Sequence, residues 1–322
     1  MPESLQDYSL RKKMVKGKRG TIQSVGLVGC GTTGQEIVRL ISEHGIEVIF
    51  IDVSKEMVDS IMISIGESLD GIINKWGMTQ SDKRAILSRI QGSTDYRDIA
   101  DCDFFIESIN TRQRGTSLEA RRNVMRQIEE VARPDVIIAS NNASLLISDL
   151  AAVLKHPERA VGFNFIQPAT RVRIVEVIRG IDTSDLTYDS AVRFIKMLDK
   201  KPITLNESLG NVSTRLIVTL INEACEILME GVAPVPLIDT TMKLGYGLQH
   251  GPFEMADRVG LDKVQKWMDN LYYEYGLQKF KASPIIKRLV RANYLGRKVN
   301  KGFYKYEDGK IISHAISATE FR

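Results

Sequence analysis

VGLVGCGTTGQEIVRLISEHG, residues 25–45, is the stretch that decides the architecture of this chain. Residues 22–29, IQSVGLVG, read as a short strand that turns directly into a helix. The turn, Gly29-Cys30-Gly31-Thr32-Thr33-Gly34, matches G-x-G-x-x-G. The first glycine permits the tight turn and the second lets the backbone approach a pyrophosphate. The third lets the helix pack closely on the strand. The helix N-terminus offers unpaired N–H groups and a positive dipole end to phosphates, which adds Thr32 and Thr33 to the cofactor-binding residues. Ile37, Val38, Leu40 and Ile41 make the apolar stripe of the helix, and Gly45 ends it. A second strand, VIFID, sets Asp52 about 20 residues downstream, where an acid accepts from the adenosine ribose hydroxyls. An aspartate there repels a 2′-phosphate, so NAD is expected rather than NADP.

The α/β pattern continues outward from this unit. Residues 55–76 and 81–90 read as helices. DFFIESI (103–109) and DVIIASN (135–141) read as buried strands on either side of a charged helix over about 117–132. Strands follow at 160–165, 173–178 and 202–206, with a helix near 184–199. Alternation of this kind implies a mostly parallel, doubly wound sheet with ligand beyond the carboxyl ends of its strands, where Asn141 and Asn164 emerge. After LNESLGN (205–211) the strand signal stops. LIVTLINEACEILMEG, PLIDTTMKLGYG, GPFEMADRVGLDKVQKWMDNLYYEYG and SPIIKRLVRANYLG read as helices, each closed by glycine. Their apolar faces, with Trp267, Tyr272 and Tyr273, serve either the packing of the two halves or a homodimer interface.

Composition narrows the function classes. The 322 residues suffice for two domains, and 43% hydrophobic with 26% charged residues is ordinary for a soluble globular protein. No apolar run approaches the roughly 18 residues of a membrane span, and the N-terminus lacks a signal-peptide core, so a cytoplasmic protein is expected. The net charge of +4 is local. Residues 11–20, RKKMVKGKRG, hold six of the 44 Lys and Arg, leaving 38 against 40 acids, or −2. A flexible basic arm over 1–20 is the expectation, and the body gives no reason to invoke nucleic acid. Cys30, Cys102 and Cys225 lack metal spacing and read as core residues of a reducing compartment, while His44, His156, His250 and His314 form no ligand pair. No metal is expected.

Further motifs run in order: IRGI (178–181), INEACEILMEG (221–231), IDTTMKLGYG (238–247), GPFEMADRVGLD (251–262), VRANYLGRK (290–298) and KGFYKY (301–306). Together with the glycine turn, they make the chain resemble the L-3-hydroxyacyl-CoA dehydrogenases, also called 3-hydroxybutyryl-CoA dehydrogenases, over roughly residues 22–306. The resemblance implies a Rossmann-type NAD-binding domain over 21–206 and an all-α dimerising domain over 207–322. It also implies an acyl-CoA substrate between them. It carries the family's CoA contacts onto Ser68 and Lys75 in ESLDGIINKWG; seven residues apart, they are expected on one helix face. It carries a cofactor-side lysine onto Lys298.

The family's catalytic positions are filled differently. Its G-x-H-F-F-N-P motif reads Gly162-Phe163-Asn164-Phe165-Ile166-Gln167-Pro168, so Asn164 stands where the family has its histidine base. Gln167 stands for the asparagine near the nicotinamide. Glu176, the partner of that histidine, remains. Ser140-Asn141-Asn142-Ala143-Ser144 puts Ala143 at the family's substrate-facing serine, and Thr214, ahead of Arg215-Leu216, replaces its asparagine. The segment NTRQRGTSLEA after Ile109 is longer than the family norm. An asparagine does not titrate in the working range, and losing a general base typically costs ~10²–10⁴ in rate. Two readings follow. One is an NAD-dependent oxidoreductase of altered acid/base mechanism, with Glu176 or His250 recruited and Arg171 or Arg173 binding an extra acidic group. The other is a catalytically impaired NAD/acyl-CoA-binding sensor or partner subunit.

Overall fold

The computed structural model describes residues 22–110 and 117–315. The basic arm expected over 1–20 and much of the lengthened segment after Ile109 lie outside those residues.

Strand β1 (Ser24–Val28) leads through the glycine turn into helix α1 (Thr32–Glu43), whose Ile37, Val38, Leu40 and Ile41 are buried. Strand β2 (Glu47–Ile51) is followed by α2 (Lys55–Ile73), which Ser54 caps by accepting from the Met57 N–H. Helix α3 (Gln80–Leu87) opens on a capping box, in which Thr79 and Asp82 satisfy each other's backbone N–H groups. Strand β3 (Ile90–Ser93) comes next, then β4 (Phe104–Glu107), α4 (Ser117–Val131) and β5 (Ile137–Asn141). A short α5 (Ile147–Ala151) precedes β6 (Ala160–Phe165) and β7 (Ile174–Arg179). Helix α6 (Asp185–Met197) and β8 (Lys201–Asn206) close this half.

The eight strands form one sheet in the order β3-β2-β1-β4-β5-β6-β7-β8, parallel except for the antiparallel pair β6 and β7. The doubly wound α/β class is as expected. Central strands β4 and β6 are buried along their whole length and are apolar for that reason, apart from the buried Glu107 and Asn164. Separate hydrophobic clusters cover the two faces of the sheet.

The helical half contains α7 (Ser213–Met229), α8 (Val235–Thr240) with a π-helical turn at Thr241–Gly245, α9 (Pro252–Val259), α10 (Leu261–Tyr275) and α11 (Pro284–Arg291). It has its own core, built around Phe253, Phe280 and Phe303. The stretch 251–276 is two helices rather than one. Gly260 breaks it at φ +99, a conformation that L side chains rarely adopt. Two strands that the sequence reading did not find, β9 (Tyr304–Glu307) and β10 (Lys310–His314), pair as an antiparallel hairpin. Tyr304 and Tyr306 anchor it in the helical core.

Candidate active site

The glycine turn has the shape its sequence predicts. Gly29 sits at φ +92, and a Cβ there would lie 2.6 Å from the Ile109 backbone. A Cβ on Gly34 would lie 2.4 Å from the Gly29 carbonyl oxygen, so helix and turn touch through bare backbone. A Cβ on Gly31 would meet nothing within 4 Å. That residue faces open space at the mouth of α1, the room that the backbone approach of a pyrophosphate requires. Asp52, just past β2, accepts from the Cys30 N–H at 3.0 Å and the Val53 N–H at 2.8 Å, which fixes its carboxylate beside the turn. Gly29, Gly31, Thr32, Thr33, Gly34 and Asp52 therefore fit a dinucleotide. Burial drives the Cys30 thiol pKa upward, so it remains a neutral core thiol.

The carboxyl ends of β5 and β6 carry Asn141 and Asn164. Antiparallel register sets Asn164 directly opposite Glu176. The Asn164 amide donates to Glu176 Oε2 at 2.6 Å and to Ser213 Oγ at 3.2 Å. Ser213, the first residue of α7, donates from its N–H to Glu176 Oε1 at 2.8 Å and from its hydroxyl to Oε2 at 2.9 Å. Glu176 is 2% exposed and receives all three of these groups. Ser213 is the site residue that sequence reasoning missed. It comes from the helical domain, next to the buried Thr214, and no spacing ties it to the β6–β7 pair.

Asn141 has a bracing geometry. Its amide donates to Ser108 Oγ at 3.0 Å and its carbonyl accepts from the Phe165 N–H at 3.2 Å, locking the ends of three strands together. Ala143 lies in the turn that follows, where Asn142 accepts from the N–H groups of Ser144 and Leu145. Below them, buried Glu107 receives Arg121 at 2.5 Å, Ser140 Oγ at 2.6 Å and the Ile109 N–H at 2.7 Å. Arg121 in turn donates to the Ile109 and Asn141 carbonyls. This buried ion pair, also unforeseen, holds the carboxyl ends of β4 and β5 in place.

Gln167 bridges the two domains. Its amide donates to Thr33 Oγ1 at 2.8 Å and its carbonyl accepts from Lys263 of α10 at 2.9 Å. Burial, then the neighbouring Lys298, lowers the Lys263 pKa. Glu36 accepts from the Ala169 N–H at 2.6 Å, and burial raises its pKa. Lys298 is held by both oxygens of Asp262 at 2.6 Å, at the start of α10 rather than at the glycine turn.

Ser68 and Lys75 do not share a helix face, contrary to expectation. Helix α2 stops at Ile73, and Lys75 lies in the following turn, ahead of Trp76 at φ 59. Ser68 is on α2, with its hydroxyl accepting from Arg39 at 2.8 Å. His250 pairs with Glu254 at 3.2 Å, and Glu254 also holds Lys243 at 2.6 Å. Burial, then Arg258, lowers the His250 pKa.

A family model described as the NAD binding domain of 3-hydroxyacyl-CoA dehydrogenase matches residues 24–208, and a model of that enzyme's C-terminal domain matches residues 210–306. The chain belongs to the 3-hydroxyacyl-CoA dehydrogenase family. It is 34% identical over 282 residues to a 3-hydroxybutyryl-CoA dehydrogenase of Clostridioides difficile, covering 88% of this chain and 99% of that one. It is 35% identical over 281 residues to a probable 3-hydroxybutyryl-CoA dehydrogenase of Deinococcus radiodurans, covering 87% and 99%. The solved (S)-3-hydroxybutyryl-CoA dehydrogenase of Ralstonia eutropha superposes with a TM-score of 0.81 at 37% identity, covering 89% of this chain and all of that one. Family membership makes NAD the cofactor of the glycine-turn domain.

Proposed function

We propose that this family member transfers hydride between NAD and the 3-position of a 3-hydroxyacyl-CoA or related hydroxy acid, without an imidazole base. The observation that carries this reading is the Asn164–Glu176–Ser213 triad, which stands at the carboxyl end of the sheet beside a cradle fit for a dinucleotide. NAD supplies the hydride acceptor when bound. With its amide N–H groups committed to Glu176 and Ser213, Asn164 holds the Ser213 hydroxyl in place, and the substrate hydroxyl donates to Ser213 Oγ. Asn164 cannot take the proton. The nearest group that can is Glu176, reached through the Ser213 hydroxyl. As the substrate O–H proton passes to Ser213, the serine's own proton passes to the carboxylate. On this reading Asn141, Gln167 and Lys298 border the cofactor end, and Ala143 and Thr214 line the reacting end. Ser68 and Lys75 meet the CoA arm.

NADH absorbance with a panel of 3-hydroxyacyl- and 3-ketoacyl-CoAs tests the proposal. Turnover is expected in the wild type and a loss of about 10²-fold or more in kcat for Glu176→Gln. Unchanged turnover in that variant discards Glu176 as the proton acceptor. The three donors already on Glu176 favour a second reading, a sensor or partner subunit that binds NAD and acyl-CoA without turnover. Calorimetric binding of both ligands with no absorbance change selects it. Exposed Leu237, Leu244 and Tyr246 on the helical domain support a homodimer. The three buried free cysteines suit a reducing compartment such as the cytoplasm.

A further inference from the structure

A chain of hydrogen bonds runs from the helical domain to the glycine turn, and its first member has no part in the chemistry above. Lys263 stands in the first turn of α10 and donates to the Gln167 carbonyl oxygen at 2.9 Å. The Gln167 amide donates in turn to Thr33 Oγ1 at 2.8 Å. Thr33 is the second residue of α1, one position before Gly34, whose missing Cβ lets the helix sit on the turn. Both ends of the chain are held. The face of α10 that carries Lys263 also carries Asn270, two turns on, whose amide donates to Ser144 Oγ at 3.0 Å. The Ala169 N–H donates to Glu36 of α1 at 2.6 Å, so the segment after β6 is tied to α1 at both Thr33 and Glu36.

The order of donors along this chain is dictated by its first member. An ammonium group donates and never accepts, so Lys263 must face the carbonyl end of the Gln167 amide. That leaves the –NH₂ end for Thr33. A hydroxyl has one proton and two lone pairs, and the Thr33 oxygen spends a lone pair on Gln167. Its proton is free, and among the described residues no acceptor takes it. Nearby carboxylates do not draw the lysine away. Asp262 spends both oxygens on Lys298 at 2.6 Å, and Glu36 Oε2 is taken by the Ala169 N–H. Among the described residues neither forms an ion pair with Lys263. Without the lysine the amide is free to turn over. The Thr33 hydroxyl then donates to the Gln167 carbonyl and has no proton left for a ligand.

We infer that Lys263 is a positioning residue for NAD: by fixing the Gln167 amide, it commits the Thr33 hydroxyl to donate to the cofactor's pyrophosphate. A hydroxyl that donates to an anion adds a charge-assisted bond to the N–H groups that the end of α1 already offers. The same chain makes the helical domain a party to cofactor binding, although the glycine turn and Asp52 lie in the sheet domain. The inference rests on the NAD assignment and not on the turnover proposed above.

The test is calorimetric titration with NAD and with ADP-ribose, which keeps the pyrophosphate and lacks the nicotinamide. Adenosine, which has no phosphate, is measured by its displacement of NADH fluorescence. Lys263→Met is expected to weaken NAD and ADP-ribose alike, by about tenfold or more, the worth of one hydrogen bond to a charged group, and to leave adenosine unchanged. Thr33→Val is expected to do the same, and the double variant to bind no more weakly than Thr33→Val alone. Lys263→Arg, a donor of the same charge, is expected to recover most of the loss. Unchanged ADP-ribose affinity in Lys263→Met overturns the inference. Additive losses in the double variant overturn it too, because they put the lysine on the phosphate directly. A loss shared equally by adenosine marks a distorted turn and also overturns it. If the wild type binds neither NAD nor ADP-ribose, the cofactor assignment falls together with the inference.

Discussion

Glu176 receives an amide N–H, a backbone N–H and a hydroxyl, so its chemistry is set by what surrounds it. Replacing it by glutamine turns an –NH₂ group towards one of those donors. A buried donor without an acceptor costs about 1–3 kcal/mol, so Glu176→Gln should lower the midpoint of thermal unfolding even where it leaves NAD binding intact. Ser213→Ala, which removes one hydroxyl and keeps the backbone N–H bond, should cost about 1 kcal/mol. An order of effects reversed between the two variants in circular-dichroism melts would show that the carboxylate is poorly satisfied in the folded state. Asn164 and Glu176 were legible in the sequence only through the family motif whose positions they fill, and the antiparallel register that sets them opposite each other appears in the fold. Ser213 was not, because it lies 37 residues beyond Glu176 in another domain, where only folding brings it close. Arg121 was hidden for a similar reason, since an arginine on a charged helix looks like surface until its carboxylate is known to be buried.

Element by element, the sequence was clearest where apolar period and punctuation agreed. The glycine turn, β1 and α1 are of that kind. Strand β3 was lost because IQGS has one strongly apolar residue and follows a helix directly, so its edge position left no pattern to read. The C-terminal hairpin was lost because Tyr304 and Tyr306 alternate over four residues only, too short a run against the surrounding helices. That hairpin is tied down by Asp257 of α9, which accepts from the Phe303 and Tyr304 N–H groups and the Tyr306 hydroxyl at 2.9 Å each. Burial nevertheless pushes the Asp257 pKa up to about 6, with nearby Asp239 adding to the shift. A folded-state pKa above the unfolded value near 3.9 gives stability that is complete below about pH 4 and is lost as pH rises through about 6. The expected loss between those limits is on the order of 2–3 kcal/mol. Melting midpoints measured from pH 4 to 8 should therefore fall in the wild type relative to Asp257→Asn, whose amide does not titrate. A constant difference between the two across that range would count against the shifted carboxylate.

At the scale of the whole molecule, the sheet and the helical bundle have distinct hydrophobic cores; Leu146 of the sheet half packs on the helical one, and polar contacts join the two. These include Gln167 to Lys263, Ser144 to Asn270 at 3.0 Å, and Glu176 and Asn164 to Ser213. Separate cores argue for two independent unfolding events. The buried Glu176 argues for one. If the helical domain leaves first, that carboxylate loses two of its three donors and stays behind in the sheet, at a cost of about 1–3 kcal/mol for each buried group left unpaired. Comparable costs attach to Lys263, whose partial burial is tolerable only while Gln167 is there to receive it. Partial unfolding is thereby penalised at the very place where the two halves build the site. Scanning calorimetry is expected to show a single transition. NAD contacts the sheet domain, yet at a hundredfold excess over its Kd it should raise the stability of that whole transition by about 2.7 kcal/mol, because both halves melt together. Two transitions, of which NAD moves only the first, would mean that the shared site is too weak a link to make the domains one cooperative unit.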